Sequence, residues 1–200
     1  MILQFPDIQT PRSEQWDVIS NTQEFPSDLN RATQTRELPG AQWHMQMTFN
    51  DLDTRDGRRL AAFVASLRGR AGRFEITPSD WEPIGTVAGT PTLSADASSL
   101  ATTLQTTGWD PDQPLVFAMG DYLEINGELK YVTQDTPSDA NGDAAIQIMP
   151  PVRVGVASGT SIVVEKPKAL MMLKSDSNAK TVKAPRLYSM TLSAKEAIES

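Results

Sequence analysis

The sequence predicts a mainly β protein with one α-helix: a β-sandwich-like domain interrupted by a small inserted Greek-key β-barrel. Three observations support this fold class. Residues 53–76 contain the one convincing long helix, residues 41–49 alternate strictly between apolar and polar side chains, and tight turns separate short apolar runs beyond residue 115. We expect the discontinuous domain to comprise residues 1–80 and 173–200, and the barrel to comprise residues 81–172.

The predicted helix begins at Asp53 or Thr54, either of which can cap its first turn, and it ends before Gly69. Apolar side chains at positions i, i+3, i+4 and i+7 lie along one side of it: Leu60, Phe63, Val64 and Leu67. Such a stripe is typical of a helix with one buried face. The following arginine- and glycine-rich segment leads into a short strand that ends at Ile76.

The first domain is expected to contain strands with one buried face. The clearest is residues 41–49, whose apolar positions all fall on one side: Ala41, Trp43, Met45, Met47 and Phe49. An earlier strand is predicted at residues 15–20, and residues 31–38 are expected to fold back on 41–49 across Pro39-Gly40. Tyr188, Met190 and Leu192 alternate in the same way, which predicts that the chain returns to this domain.

Residues 120–132 predict a hairpin around Asn126-Gly127. A two-residue loop would mix apolar and charged side chains on each face. A three-residue loop with a bulge pairs Ile125 with Leu129 and Leu123 with Tyr131, so we expect the bulged loop. Further short strands are predicted at 145–149 and between residues 152 and 164, and five or so such strands suit an OB-like barrel.

Charge is unevenly distributed along the chain. Residues 81–172 have 4 basic and 11 acidic side chains, a net charge of −7, whereas residues 1–80 and 173–200 have net charges of −2 and +2. This difference supports an insertion. It also disfavours a nucleic-acid-binding surface on the barrel, because acidic side chains repel phosphate. We expect no specific nucleic-acid binding.

The sequence contains few of the residues that catalysis or metal binding usually requires. There is no cysteine, which excludes disulfides, thiolate metal sites and a cysteine nucleophile. His44 is the only histidine, and it lies on the polar side of its strand without partners for a triad or a metal site. The 11 acids of the barrel show no spacing that selects a pair for glycan hydrolysis, which is the third-ranked function. We predict no catalytic residue, no cofactor and no metal, and a protein that is not an enzyme.

Two other signals are weak. Asp139, Asn141 and Asp143 have the spacing that opens a calcium loop, but Pro150 stands where a bidentate Glu is required, so a turn is expected. The first residues lack a basic region followed by an apolar run, and no stretch of about 18 apolar residues occurs. We therefore expect neither a signal peptide nor a membrane span.

Four segments resemble the distal tail proteins of long-tailed, siphovirus-type bacteriophages. They are the helix-to-strand passage 57–74, the block Gly120-Asp121-Tyr122-Leu123 with Asn126-Gly127, the residues from Asp139-Ala140-Asn141-Gly142 to Pro150-Pro151-Val152-Arg153, and the strand before Lys195-Glu196-Ala197. In that family a discontinuous domain forms a hexameric ring at the end of the tail tube, and an inserted barrel points outward. The resemblance implies a virion structural protein, assembled in the bacterial host cytoplasm. It would join the tail tube protein to the central tail-tip protein and to tail fibres.

The best candidates for a subunit interface are arginines crowded around the helix: Arg55, Arg58, Arg59, Arg68, Arg70 and Arg73. Arginine is favoured at interfaces because its planar fork binds carboxylates in a defined geometry. His44 is a further interface candidate. The alternative for the arginines is a solvated helix face with local pairs to Asp53 and Asp56.

The alternative function is a carbohydrate-binding module that contacts host surface glycans. Its sugar-stacking candidates are the aromatic residues at the start and inside the barrel: Trp81, Trp109, Tyr122 and Tyr131. Packing in the core of a small β domain is the competing explanation for the same residues.

Overall fold

The computed structural model describes residues 2–198, which form thirteen β-strands and one α-helix. The first part of the chain forms β1 (Ile2–Gln4), β2 (Ser13–Pro26), β3 (Thr33–Leu52), α1 (Thr54–Ser66), a short 3₁₀ helix (Gly69–Ala71) and β4 (Arg73–Ile76). Six strands follow: β5 (Gly89–Leu93), β6 (Thr103–Trp109), β7 (Tyr122–Ile125), β8 (Glu128–Val132), β9 (Ala144–Met149) and β10 (Ile162–Val163). The last strands are β11 (Ala169–Leu173), β12 (Lys180–Lys183) and β13 (Leu187–Glu196).

Seven of these strands form one curled sheet. Its order is β1-β4-β11-β13-β3-β2, and β12 pairs with β13 beside β11. The β1–β4 pair is parallel, and the other pairs are antiparallel. Because β13 pairs with the C-terminal half of β3, from His44 to Leu52, the last strand lies in the middle of a sheet begun by the first.

The other six strands form a second, nearly closed, barrel-like sheet in the order β10-β7-β8-β9-β6-β5. A bridge between Thr92 and Ser161 brings its two ends together. The chain passes from β6 across the sheet to β7 and returns through β8 and β9, which is a Greek-key connection. The predicted mainly β fold with one helix and a small barrel is confirmed.

The predicted helix and its buried face are also confirmed. The Asp53 carboxylate accepts the Asp56 N–H at 2.7 Å and so caps α1. Arg68 and Gly69 have left-handed backbone angles directly after the helix and end it. The apolar stripe packs into one core with the buried face of β3: Leu60, Phe63, Val64 and Leu67 with Trp43, Met45, Met47 and Phe49.

The expected pairing of residues 31–38 with 41–49 is wrong. Both segments belong to β3, which continues through Pro39-Gly40 and pairs with β2 from Thr33 to Thr48. Ile19 lies opposite Gln42 and Asn21 opposite Leu38, so residues 39–41 form a bulge opposite one residue of β2. A bulge tolerates proline in a strand and accommodates Gly40 at φ +114°, which explains why this dipeptide resembled a turn.

The predicted bulged loop of the 120–132 hairpin is also wrong. Ile125 lies opposite Glu128 and Leu123 opposite Lys130, and Asn126-Gly127 is a two-residue loop with positive φ at both positions. The prediction assumed that one face of the hairpin meets water. Both faces are buried instead: Leu123 packs in the barrel core, whereas Leu129 packs in the core of the curled sheet.

The chain crosses from the curled sheet to the barrel after β4 and returns before β11. Ala169–Leu173 pairs with β4 and β13 in the curled sheet, so the return lies before residue 169. The division into domains at residues 80/81 and 172/173 stays a prediction.

Candidate subunit interface

Most of the arginines predicted for an interface are accessible. Arg55, Arg58, Arg59, Arg68 and Arg70 are exposed, and Arg73 is half-buried. Arg55, Arg58 and Arg59 lie on α1 outside its buried stripe. Arg68 and Arg70 lie in the turn after α1, and Arg73 begins β4.

Three of these arginines bind neighbouring segments of the same chain. Arg70 binds the Asp176 carboxylate through Nε and Nη2, at 3.2 and 3.0 Å. Arg59 Nη1 donates to the Asp7 carbonyl at 2.9 Å, and Arg73 Nη1 donates to carbonyl groups of the turn before it. The carboxylates considered as local partners are used elsewhere: that of Asp53 caps the helix, and that of Asp56 accepts the Gln9 N–H.

His44 lies half-buried on the side of β3 away from the core. Its Nδ1 is 2.9 Å from the Lys174 amine, and its neighbours across the sheet are Asp17 and Lys195. Burial lowers the pKa of His44 below its ordinary value of 6.5, and the charge of Lys174 lowers it further. The imidazole is therefore neutral at pH 7, and its Nδ1 can accept a hydrogen bond from the Lys174 amine.

The four aromatic residues proposed for sugar stacking do not form one exposed platform. Trp109 is buried in the barrel core, where its Nε1 donates to Thr106 Oγ1 at 2.8 Å. Tyr122 is buried and Tyr131 half-buried, and their hydroxyls lie 2.9 Å apart where the barrel meets the curled sheet. Trp81 is half-buried. Core and junction packing thus accounts for Trp109, Tyr122 and Tyr131.

The barrel is attached to the curled sheet by an aromatic and ionic junction. The Trp43 ring packs on Tyr131 with 4.7 Å between centroids, and Trp43 Nε1 donates to the Leu129 carbonyl at 2.8 Å. Beside it lie four charged side chains, alternating in sign, that are largely withdrawn from water: Lys130, Glu128, Arg153 and Glu196. Sequence reasoning did not single out this group, because its members are far apart along the chain.

A long two-stranded arm projects from the curled sheet, and sequence reasoning missed it. We call residues 21–38 the arm: Asn21 lies opposite Leu38 and Pro26 opposite Thr33, with a loop between the strands. Every residue of both strands up to residue 37 is exposed, and Leu29 in the loop is 99% exposed. Six residues of strand reach about 20 Å. The missed signal was a strand segment that is polar on both faces.

The segment whose spacing opens a calcium loop forms a turn in the structure. Asp139 accepts the N–H groups of Asn141 and Asp143 at 2.8 and 2.9 Å, so its carboxylate stabilises the turn. Within the described part of the chain, no three His, Asp or Glu side chains are placed to hold a metal ion. No helix there is long and apolar enough to span a membrane.

Comparison with known proteins assigns no family. No protein-family model matches the chain, and no curated protein sequence matches it significantly. A function must therefore be argued from the geometry of the molecule and from the residues that resemble distal tail proteins.

Proposed function

We propose that this chain is a structural protein of the tail tip of a long-tailed bacteriophage. It assembles in the bacterial cytoplasm into a ring of identical copies, six by the resemblance, and stays in the virion. The ring joins the tail tube protein to the central tail-tip protein and to tail fibres. The observation that supports self-assembly most directly is the arm.

An isolated two-stranded β-ribbon is at best marginally stable in water. The arm has no third strand and no core, because all of its strand positions up to residue 37 are exposed. Its apolar side chains are unprotected: Phe25 is about half exposed and Leu29 almost completely so. A ribbon of this kind gains most of its stability from packing on another chain. In a ring, the arm of each copy packs on the next copy.

The surface also suits docking. Exposed arginines lie on α1 and just after it, while the barrel has exposed acids, among them Asp110, Asp112 and Asp139. Opposite charges on different parts of one chain favour head-to-tail contacts over symmetric ones, because like surfaces repel. Head-to-tail contacts form a ring when the rotation between successive copies closes, and an open filament when it does not.

Light scattering across protein concentration and salt tests this proposal. We expect one discrete species near six times 21.9 kDa, and negative-stain images that show a ring with an open centre. Added salt should shift the mass towards the monomer, because salt screens exposed charges. A monomer at every concentration and salt would overturn the ring.

A pair of variants locates the contact. Leu29→Asp, in the loop of the arm, should shift the population towards the monomer. Ile84→Asp is the matched control, because Ile84 is also exposed (76% against 99%) but lies outside the arm. An equal effect of both substitutions would show that the arm is not the contact.

A further inference from the structure

Besides the three-residue β1, the curled sheet has two edge strands within residues 2–198, β2 and β12. β2 pairs only with β3, and β12 pairs only with β13, so the outer main-chain groups of both strands have no partner strand within residues 2–198. β2 is 14 residues long. Exposed edges of this length pair readily with other chains, and proteins usually cover or interrupt them. The open edges of β2 and β12 therefore indicate that a strand of another chain pairs with them.

The two edges have opposite charges. β2 contains Glu14, Asp17 and Glu24 and no basic residue, whereas β12 contains Lys180 and Lys183 and no acidic residue. Among the described residues, none forms an ion pair with Asp17, Lys180 or Lys183. Opposite charges on neighbouring strands stabilise a β pair, and like charges destabilise it.

The edges are also complementary in shape. An open groove of about 540 Å³ follows the root of β2 and is lined by Trp16 and Val18 of β2 and by Met119, Tyr131 and Met149 of the barrel. On β12, Val182 is an exposed apolar side chain between two polar ones. A strand added to β2 would place alternate side chains in this groove, which favours an apolar side chain there. Val182 is such a side chain.

An unpaired carboxylate oxygen lies at the same edge. Glu14 uses Oε1 to accept hydrogen bonds from the Trp16 indole and from the Ser79 N–H. Its Oε2 is buried and has no hydrogen-bond partner in the described structure. A cationic partner would satisfy it. Lys180 projects to the same side of β12 as Val182, because side chains two residues apart share a face.

We propose that β12 of one copy adds to the edge of β2 of a second copy, with Val182 in the groove and its lysines beside the acids of β2. The two strands cannot pair within one copy, because β13 and β3 lie between them in the same sheet. Each copy therefore offers one edge and accepts the other, a head-to-tail contact that extends the curled sheet from copy to copy. This inference rests on the proposed ring and names the strands that close it.

Charge exchange tests the pairing. Asp17→Lys and Lys183→Asp should each weaken self-association about tenfold or more, because each places like charges across the contact. The double variant should recover to within about threefold of the wild type, because it restores the opposite charges in reverse. Matched controls on the barrel, Glu82→Lys and Lys166→Asp, should leave the association constant unchanged. Circular dichroism should show that all variants fold.

Cross-linking gives an independent measurement, since the natural chain has no cysteine. Asp17→Cys and Lys183→Cys proteins are treated with a short bis-maleimide, separately and mixed. Only the mixture should give a covalent dimer, because a head-to-tail contact joins unlike positions. The pairing is overturned, and the ring kept, if the wild type forms a ring but the mixture gives no cross-link and the double variant does not recover. A monomeric wild type would overturn both.

Discussion

Arg153 of the barrel binds Glu196, in the last strand of the curled sheet, through both terminal nitrogens of its guanidinium. The Nη1–Oε1 distance is 2.7 Å, and Glu196 Oε2 also accepts the Trp43 N–H at 2.9 Å. Arg153 is 17% exposed and Glu196 3%. A charge pair this far from water is costly to disrupt, because the remaining charge stays buried. This bidentate contact, together with the packing of Trp43 on Tyr131 and its hydrogen bond to the Leu129 carbonyl, joins the barrel to the curled sheet.

Glu196→Gln should strongly destabilise the protein. The substitution keeps the size of the side chain but removes the bidentate partner of the buried Arg153 charge, which is left with the more distant Glu128 carboxylate at 3.7 Å. Breaking a buried pair in this way costs about 3 kcal/mol or more. Urea unfolding at pH 7 measures the loss, at one fixed protein concentration, because self-association adds to apparent stability.

Asp176→Asn is the matched control, since Asp176 also binds an arginine through two nitrogens. The Arg70–Asp176 pair is 61% and 62% exposed, so water solvates either charge when the other is removed. This variant should unfold at nearly the wild-type urea concentration. Equal losses in the two variants would contradict the role assigned to burial.

Lys130→Met should remove a pH dependence of stability. Burial lowers the pKa of the Lys130 amine from its ordinary value of 10.5, although the Glu128 carboxylate opposes the shift. Between the lowered pKa and 10.5 the unfolded chain binds more protons than the folded one, so the free energy of unfolding rises with pH. The variant has no amine and should lack this rise.

Urea unfolding of both proteins, from neutral pH towards pH 10.5, gives the difference in free energy of unfolding at each pH. We expect wild type minus variant to grow with pH. Burial and the hydrogen bond with Tyr131 raise the pKa of the Tyr122 hydroxyl, which makes the free energy of unfolding fall at high pH. Tyr122 is present in both proteins, so its effect cancels in the difference. A constant difference would show that Lys130 keeps its ordinary pKa in the folded protein.

Gly57→Ala should destabilise the protein although alanine is the better helix former. A Cβ at position 57 would lie 2.3 Å from Tyr188 Cγ, so α1 and β13 could not keep their present separation. Overpacking of this kind costs about 1–3 kcal/mol, against a gain of about 1 kcal/mol in helix propensity. Thermal unfolding measures the balance.

Ala62→Gly, on the exposed side of the same helix, measures helix propensity alone and should cost about 1 kcal/mol. The two substitutions are opposite in chemistry, yet both should lower the melting temperature. A higher melting temperature for Gly57→Ala would show that α1 moves away from Tyr188 at little cost.

The elements predicted correctly are those whose signal is local. The stripe from Leu60 to Leu67 and the alternation from Ala41 to Phe49 are each contained in one segment, and each has one face in a core. The predicted loop and register of the 120–132 hairpin were wrong because a distant part of the chain covers the second face of the hairpin. Lys130 resembles a surface residue in sequence, but here it is buried with Glu128 and the Pro151 carbonyl as partners.

Some candidate interface surfaces could be predicted from local sequence, and others required the tertiary structure. Arg55, Arg58 and Arg59 lie on α1, as their spacing in the predicted helix indicated, and Arg68, Arg70 and Arg73 follow it in the turn and in β4. The arm was not foreseen, since Pro39-Gly40 fits a turn as well as a bulge. The opposite charges of β2 and β12 have meaning only when both strands are known to be edges, and that depends on which strands lie between them.

The sequence by itself determined the mainly β class, the position and buried face of α1, the inward face of β3 and the shortage of residues for catalysis. These follow from periodicity and composition, which act over a few residues. Only the tertiary structure decided the register of the 120–132 hairpin, the continuation of β3 into the arm, the junction of Arg153 with Glu196 and the open edges of β2 and β12. Each depends on contacts between residues far apart in the chain, whose burial no local pattern records.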